Sequence, residues 1–558
     1  MAGMIYTPVT LWEGFRPELP IKEEKSEEYE KDGIVFSKIR FGGRSTETGR
    51  VSIFALTAYD RRNAKMPGLL ILPSYGKRPD ERTVAYFAKQ GYFAMMADYA
   101  GRRGGDADYT EYPADAAYAN FTEDRDSIHR VETDAKHTCW YEWSAVAQYA
   151  AHYLKNNDLV SGYGAFGIKH GATVLWQLAA LDPDIRCFAS TFSAGWRAYR
   201  GFYKFSDDSE PELNDELYKY LAAIEPQSYA QYVKCPVLVV SGSNNRFFDA
   251  DRVFDTTARV AADTYVNIAP QRGKVLDYES KRDIDLFFEK YLKGAPTALP
   301  EEPDIGCEVI NGSIFVKVKA DKFDLKDVCL FAAEETVNPA LRCWNFKAEI
   351  VKETEEHFLF KYTPYKYSGQ AVFYARARYA SGFTVCTRIM AKKFAEEEIF
   401  NENKSNILFS SRENKYMLCP LRFSENVLFD VQAEESDDIR LEKGAFDIEG
   451  VTSAGGIVSY KINNESDRPK AESILLADVY APEEVKLTVK LIENVNTPKE
   501  RIYSASADIG GGEVWHKFSF PTSKFKTDEG MNLKSMEKIN VIVFECGGKY
   551  LLNNILWV

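Results

Sequence analysis

No run of about 18 consecutive apolar residues occurs in the chain, so no membrane-spanning helix is expected. The start, MAGMIYTPVTLWEGFRPELP, lacks the basic stretch followed by an apolar one that marks a secretory signal. The 9 cysteines are odd in number, scattered and never spaced C-x-x-C, which gives no sign of a zinc site and fits a reduced, cytoplasmic setting. Positive charge is in deficit: 70 Lys+Arg against 83 Asp+Glu leave a net charge of −13. That balance argues against nucleic acid or an anionic membrane as the main partner. No D-x-D-x-D-like cluster pins a calcium site, and no cofactor is expected. Internal repeats and low-complexity tracts are absent too.

What is present is ample material for packed cores. The 558 residues are 45% hydrophobic and 14% aromatic, enough for two to four domains. Residues 21–33, IKEEKSEEYEKDG, read as a solvated, charged lead-in. Up to about residue 295, short apolar runs alternate with amphipathic segments. Gly68-Leu-Leu-Ile-Leu, Tyr92-Phe-Ala-Met-Met-Ala, Tyr163-Gly-Ala-Phe-Gly and Pro236-Val-Leu-Val-Val-Ser have the character of buried parallel strands. Asp134 to Asn156, the stretch after Gly171, and Asp283 to Leu292 have helical spacing. Strand–helix alternation implies an α/β class, a parallel sheet covered on both faces. After the proline-rich linker Gly294-Ala-Pro-Thr-Ala-Leu-Pro-Glu-Glu-Pro the signal is all β. In Val372-Phe-Tyr-Ala-Arg-Ala-Arg-Tyr-Ala the arginines 376 and 378 alternate with apolar residues, the pattern of a half-buried antiparallel strand.

Within the alternating region, Gly167-Ile-Lys-His-Gly171 has the outline of a G-x-S-x-G nucleophile elbow with lysine in the serine slot. An elbow needs small flanking residues because a strand turns into a helix at one strained residue. Two glycines alone are weak evidence, but here a glycine-rich strand precedes them and an apolar helix follows.

The stretch GAFGIKHGATVLWQLAALDPDIRCFAS resembles the elbow, helix and next strand of the α/β-hydrolase fold, in its dienelactone hydrolase and acetyl xylan esterase-like branch. CPVLVVSGSNNRFFDADRV resembles that branch's acid loop, and DIDLFFEKYLKG its last helix. On weaker signals, the downstream parts resemble an immunoglobulin-like sandwich and a galactose-binding-like jelly roll. The resemblance implies four parts. An N-terminal extension with the first strand spans 1–44, an α/β-hydrolase-like domain 45–297, an immunoglobulin-like β-sandwich 298–395 and a jelly roll 396–558.

Carried over residue by residue, the family's triad departs at every position. Lys169 stands for the nucleophile and Asn245 for the acid, and no histidine occurs between His170 and His357 to serve as the base. Serine needs a base to remove its proton and an acid to orient that base. A lysine is protonated unless burial or a neighbouring cation lowers its pKa, and its acyl product is a stable amide. Loss of Ser-type hydrolysis is therefore expected, with Lys169 filling a dead pocket. The sharper readings of Lys169 are a Schiff-base amine or an anion-binding cation. His170 is read as a packing or pocket-rim residue, and its backbone N–H with that of Tyr75 is expected to form a vestigial oxyanion hole. Asp249 is the fallback acid, read first as a surface-loop residue, and Gly101-Arg-Arg-Gly-Gly-Asp as a solvated turn or a cationic pocket lining.

In the jelly roll, Trp515 and Tyr550 are candidates for stacking on a ligand, while Trp557 reads as core. The family resemblance then implies a non-catalytic pseudo-hydrolase with a carbohydrate or acylated small-molecule ligand. The alternative is an active esterase-type hydrolase with a non-standard lysine-containing site.

Overall fold

The computed structural model describes residues 4–17, 21–105, 107–124, 127–197, 204, 213–245, 248–273, 276–311, 313–334, 338–344, 349–354, 357–362, 370–393, 406–411, 418–421, 439–464, 467–495 and 497–558. Nine strands form one sheet: β1 Glu23–Lys31, β2 Ile34–Ser45, β3 Arg50–Asp60, β4 Met66–Leu72, β5 Phe93–Ala97, β6 Val160–Ile168, β7 Ile185–Thr191, β8 Val237–Gly242 and β9 Thr264–Ala269. Their spatial order is β1-β2-β3-β5-β4-β6-β7-β8-β9. The first three pairings are antiparallel, and every pairing from β5/β4 to β8/β9 is parallel. With the swap of β4 and β5, this is the strand order of an α/β-hydrolase sheet preceded by one extra edge strand.

The helices are α1 Pro8–Leu11, α2 Glu81–Lys89, α3 Cys139–Lys155, α4 His170–Leu181, α5 Asp215–Ala223, α6 Pro226–Tyr229, α7 Ala250–Thr257 and α8 Tyr278–Lys293. Apolar strands such as β4 and β8 are buried on both faces because helices cover both. On one side Val84 and Phe87 of α2 and Ile284, Phe287 and Phe288 of α8 share a core with Leu69, Ile71 and Phe166. On the other, Trp143 and Val146 of α3 and Val174, Leu175 and Leu178 of α4 pack on Leu70, Leu72 and Ala165. Each large side chain buried in this way contributes roughly 1.5–3 kcal/mol. Among the described residues, no helix is long and apolar enough to cross a membrane.

The charged lead-in is solvated, and it is also a strand. Its residues form β1, which pairs antiparallel with β2 at the sheet edge, and Tyr29 stacks on Phe36 at 5.2 Å. An edge strand keeps one row of backbone groups towards water, so glutamates and lysines suit it and discourage pairing with another chain.

Downstream, residues 304–393 carry two four-stranded antiparallel sheets, and residues 407–557 a six-stranded and a five-stranded sheet. Their cores are separate clusters. The first gathers around Val316, Phe360 and Phe373, and the second around Leu487, Val489 and Leu491 of strand Val485–Glu493.

The strand Gln370–Tyr379 differs from its half-buried expectation, because Arg376 is 3% exposed. Its face lies against the hydrolase-like core, where Arg376 Nη1 donates to Asp277 at 2.6 Å and Nε to Asn267 at 3.0 Å. Burial alone would raise the Asp277 carboxyl, but the charge and hydrogen bond of Arg376 outweigh it and hold it below the usual carboxylate range. The same junction brings strand Thr384–Cys386 to the free edge of β9, with the Ile268 N–H donating to Cys386 Sγ at 3.2 Å.

Candidate functional site

β6 ends at Ile168, α4 begins at His170, and Lys169 makes the corner at φ 53°, ψ −111°. A residue with a β-carbon adopts that conformation only when its surroundings enforce it. Here the Lys169 N–H donates to Thr191 O at 2.8 Å and its carbonyl accepts from Thr173 N at 3.0 Å. The flanking glycines are steric necessities. A β-carbon on Gly171 would lie 2.4 Å from Leu72 O, and one on Gly167 would lie 2.6 Å from the Ala172 α-carbon. The Lys169 side chain is half-buried at the N-terminus of the 12-residue α4.

Strained backbone gathers on this end of the sheet. Phe192 (φ 52°) and Ala194 (φ 72°) follow β7, and Gln271 (φ 57°) follows β9.

The connection from β5 to α3 folds over the elbow and fills it with rings. Tyr75 Oη donates to Thr122 O at 2.9 Å and accepts from Thr122 N at 2.6 Å. Its ring lies 4.8 Å from Phe121, 5.3 Å from Trp143 and 5.4 Å from His170. His129 stacks on His170 at 5.9 Å, with Trp140 6.0 Å from His170 and Tyr220 5.4 Å from His129. Arg103, from the turn read as solvated or pocket-lining, lies 4.8 Å over the Phe121 ring at the rim of this stack.

Sequence reasoning missed His129. It sits in a connection without a motif, and only the tertiary fold carries it to the elbow. Glu225, fully buried near Tyr220, was missed as well. Burial pushes its carboxyl up to about 8 against the lowering effect of Arg197.

The acid loop after β8 is committed to another task. Asn245 is buried, its N–H on Gly242 O at 3.2 Å and its amide 3.5 Å from Ser241 Oγ. Asn244 Nδ2 donates to Arg342 O at 2.7 Å and to Ala340 O at 3.1 Å. Arg342 in turn makes a bidentate pair with Asp251 at 2.5 and 2.7 Å, both side chains 1% exposed. Asp249 is not on the surface: it is buried, and Gly195 is required because a β-carbon there would come 2.8 Å from the Asp249 backbone.

The base loop after β9 is sealed in the same way. Gln271 Nε2 donates to Trp344 O at 2.8 Å and Arg272 to Leu418 O at 3.1 Å. Lys274, the position at which a histidine would be restored, lies outside the described residues. The structure thus brings Lys169, His170 and Tyr75 together, while Asn244, next to Asn245, and Gln271 in the loop after β9 hold the first β unit, and Arg272 reaches the last one.

The likeness to known structures lies in the fold. No protein-family model matches the chain, and no curated protein does. Among solved structures, acetyl xylan esterase 1 from Thermoanaerobacterium sp. JW/SL YS485 is similar with a TM-score of 0.41 at 16% identity, covering 53% of this chain and 96% of that one. An acetyl xylan esterase from Paenibacillus sp. R4 gives 0.40 at 15% identity, with 51% and 92% covered. An acylaminoacyl peptidase from Pyrococcus horikoshii gives 0.35 at 16%, with 47% and 43% covered.

In the last β unit, Tyr550 does not face solvent. It is 2% exposed and donates to Ser453 O at 3.2 Å, which corrects its reading as a stacking residue. Trp557 is likewise core. Trp515 is half-exposed, with its indole N–H on Ala445 O at 3.0 Å.

Proposed function

We propose that this chain is a non-hydrolytic protein of the α/β-hydrolase fold that serves in carbohydrate-related binding. The observation that carries the reading is Lys169 in the elbow conformation, at the residue from which a nucleophile would attack. A protonated amine does not attack an ester, and an amide formed by a neutral one is not released by water. Two further features support it. The acid slot is a neutral amide, which cannot stabilise an imidazolium. The loops that would present acid and base instead hold the Arg342 and Trp344 segment of the neighbouring β unit. Ligand binding then falls to surfaces outside the ring-filled elbow, and a neutral carbohydrate or its acylated form suits a chain of net charge −13.

The test is restoration. Wild type and Lys169→Ala are expected to hydrolyse p-nitrophenyl acetate at the buffer rate, and the triple variant Lys169→Ser, Asn245→Asp, Lys274→His to show slight turnover at most. Efficient hydrolysis by wild type overturns the reading.

A second reading, an active site using the Lys169 amine, has one observation in its favour: the Lys169 side chain is half-buried at the elbow. Burial lowers an amine's pKa and frees it for imine formation. Borohydride trapping with pyruvate followed by peptide mass analysis decides it. Reduced adduct on Lys169 supports amine chemistry, and an unmodified peptide removes it.

A further inference from the structure

A strand at the edge of a sheet offers unpaired backbone N–H and C=O groups to any other extended chain, and proteins guard such edges with charge, brevity, bulges or a covering segment. This chain does so repeatedly. β1 is charged along its length, and strand Arg440–Lys443 is short and charged. Strand Glu349–Glu353 carries a bulge between Ile350 and Lys352. Strand Arg501–Ile509 is met on its outer side by Lys526, which exchanges two backbone hydrogen bonds with Ser504 at 2.8 and 3.1 Å.

Strand Asp304–Ile310, Asp-Ile-Gly-Cys-Glu-Val-Ile, has no lysine, arginine, proline or bulge. It is the outer strand of its sheet and pairs with Ser313–Lys319 along its whole length without a register shift. Two residues separate Ile310 from its partner Ser313, so that closing pair exchanges both of its hydrogen bonds. Backbone groups alternate from there. Asp304, Gly306, Glu308 and Ile310 turn theirs to Ser313–Lys319, and Ile305, Cys307 and Val309 turn theirs to the outer edge. Among the described residues, no strand or bridge pairs with those three on that side. Their side chains are only half-buried against the core around Val316 and Phe360.

We propose that this edge joins a second copy of the chain, strand against strand and antiparallel, about a two-fold axis at Cys307. The segment complements its own reverse. Ile305 meets the partner's Val309 and Cys307 meets the partner's Cys307, so the half-buried apolar row continues across the axis and each of these pairs is hydrogen-bonded. Gly306 faces the partner's Glu308 and Asp304 faces the partner's Ile310, so no like charges oppose each other. Two-fold symmetry uses up both edges and stops the assembly at a dimer. One strand pair buries well under the roughly 800 Å² per partner of a stable complex, so the dimer is weak and concentration-dependent. This surface is separate from the elbow and independent of the function proposed for Lys169.

The test is sedimentation velocity of the full chain over a concentration series from about 1 to about 200 µM. Circular dichroism confirms the fold of each variant. Wild type is expected to pass from monomer to dimer within the series. Val309→Pro removes an outward N–H and is expected to stay monomeric. The Gly306 variants read the register, because a β-carbon there meets nothing within 4 Å. Gly306→Glu sets a glutamate opposite the partner's Glu308 and should weaken the dimer threefold or more, while Gly306→Lys should tighten it by a similar factor. Gly547→Glu, an equally open site in the last β unit, controls for net charge and should match wild type. A wild type that stays monomeric throughout overturns the proposal. So does a dimer that survives Val309→Pro or responds alike to Gly306→Glu and Gly306→Lys, since the contact then lies elsewhere.

Discussion

At residue 169 backbone and side chain disagree about purpose. The backbone keeps the strained corner that a nucleophile needs, held by Thr191 and Thr173 and by two glycines with no room for a β-carbon. The side chain is an amine where a G-x-S-x-G elbow has a hydroxyl. If the corner is now only architecture, Lys169→Gly should relieve strain and stabilise by roughly 1 kcal/mol. Gly171→Ala should destabilise by about 1–3 kcal/mol, because its β-carbon meets backbone carbonyls and not a movable side chain. Urea denaturation of both variants checks this, and a neutral Gly171→Ala would contradict the packing. Glu225 supplies a pH signature. Its folded pKa, about 8, is raised above the usual carboxylate value, so its contribution is full below about pH 4 and lost as pH rises through 8. The melting temperature of wild type should therefore fall between pH 5 and 8, and Glu225→Gln should flatten that fall. Parallel curves would show that Glu225 does not titrate there. Of these residues, Lys169 and Asn245 were legible from their slots in a motif. His129 and Glu225 were not, since neither their neighbours in sequence nor their spacing carries a signal.

At the scale of elements, the strand–helix alternation was readable because parallel strands buried on both faces are continuous apolar runs. The solvated character of residues 21–33 was legible but the strand β1 within them was not, because a charged edge strand and a solvated loop share a composition. The strand Gln370–Tyr379 was misread because alternation tells which residues share a face, not what covers that face; Arg376 points at Asp277, across 99 residues of chain. The acid and base loops show the same limit. Their sequences mark them as departures from a triad, and only the fold reveals that they hold the first β unit. Arg342→Ala should leave Asp251 buried without its bidentate partner and cost about 3–5 kcal/mol in chemical denaturation. A loss below about 1 kcal/mol would mean that the contact is not structural.

For the whole molecule, the fold joins parts that the order of the chain alone does not bring together. The hydrolase-like sheet has its elbow filled by Tyr75, Phe121, Trp140 and the His129–His170 stack, and its two catalytic loops spent on a junction. The central claim is that the elbow no longer catalyses ester hydrolysis. The most direct measurement is the initial rate of p-nitrophenyl acetate hydrolysis by wild type and by Lys169→Ala, with intact-mass analysis of the enzyme during the reaction. A non-catalytic elbow predicts both proteins at the buffer rate and no acyl group turning over on residue 169. Hydrolysis by wild type well above buffer, abolished in Lys169→Ala, would contradict it and make the lysine itself the working group.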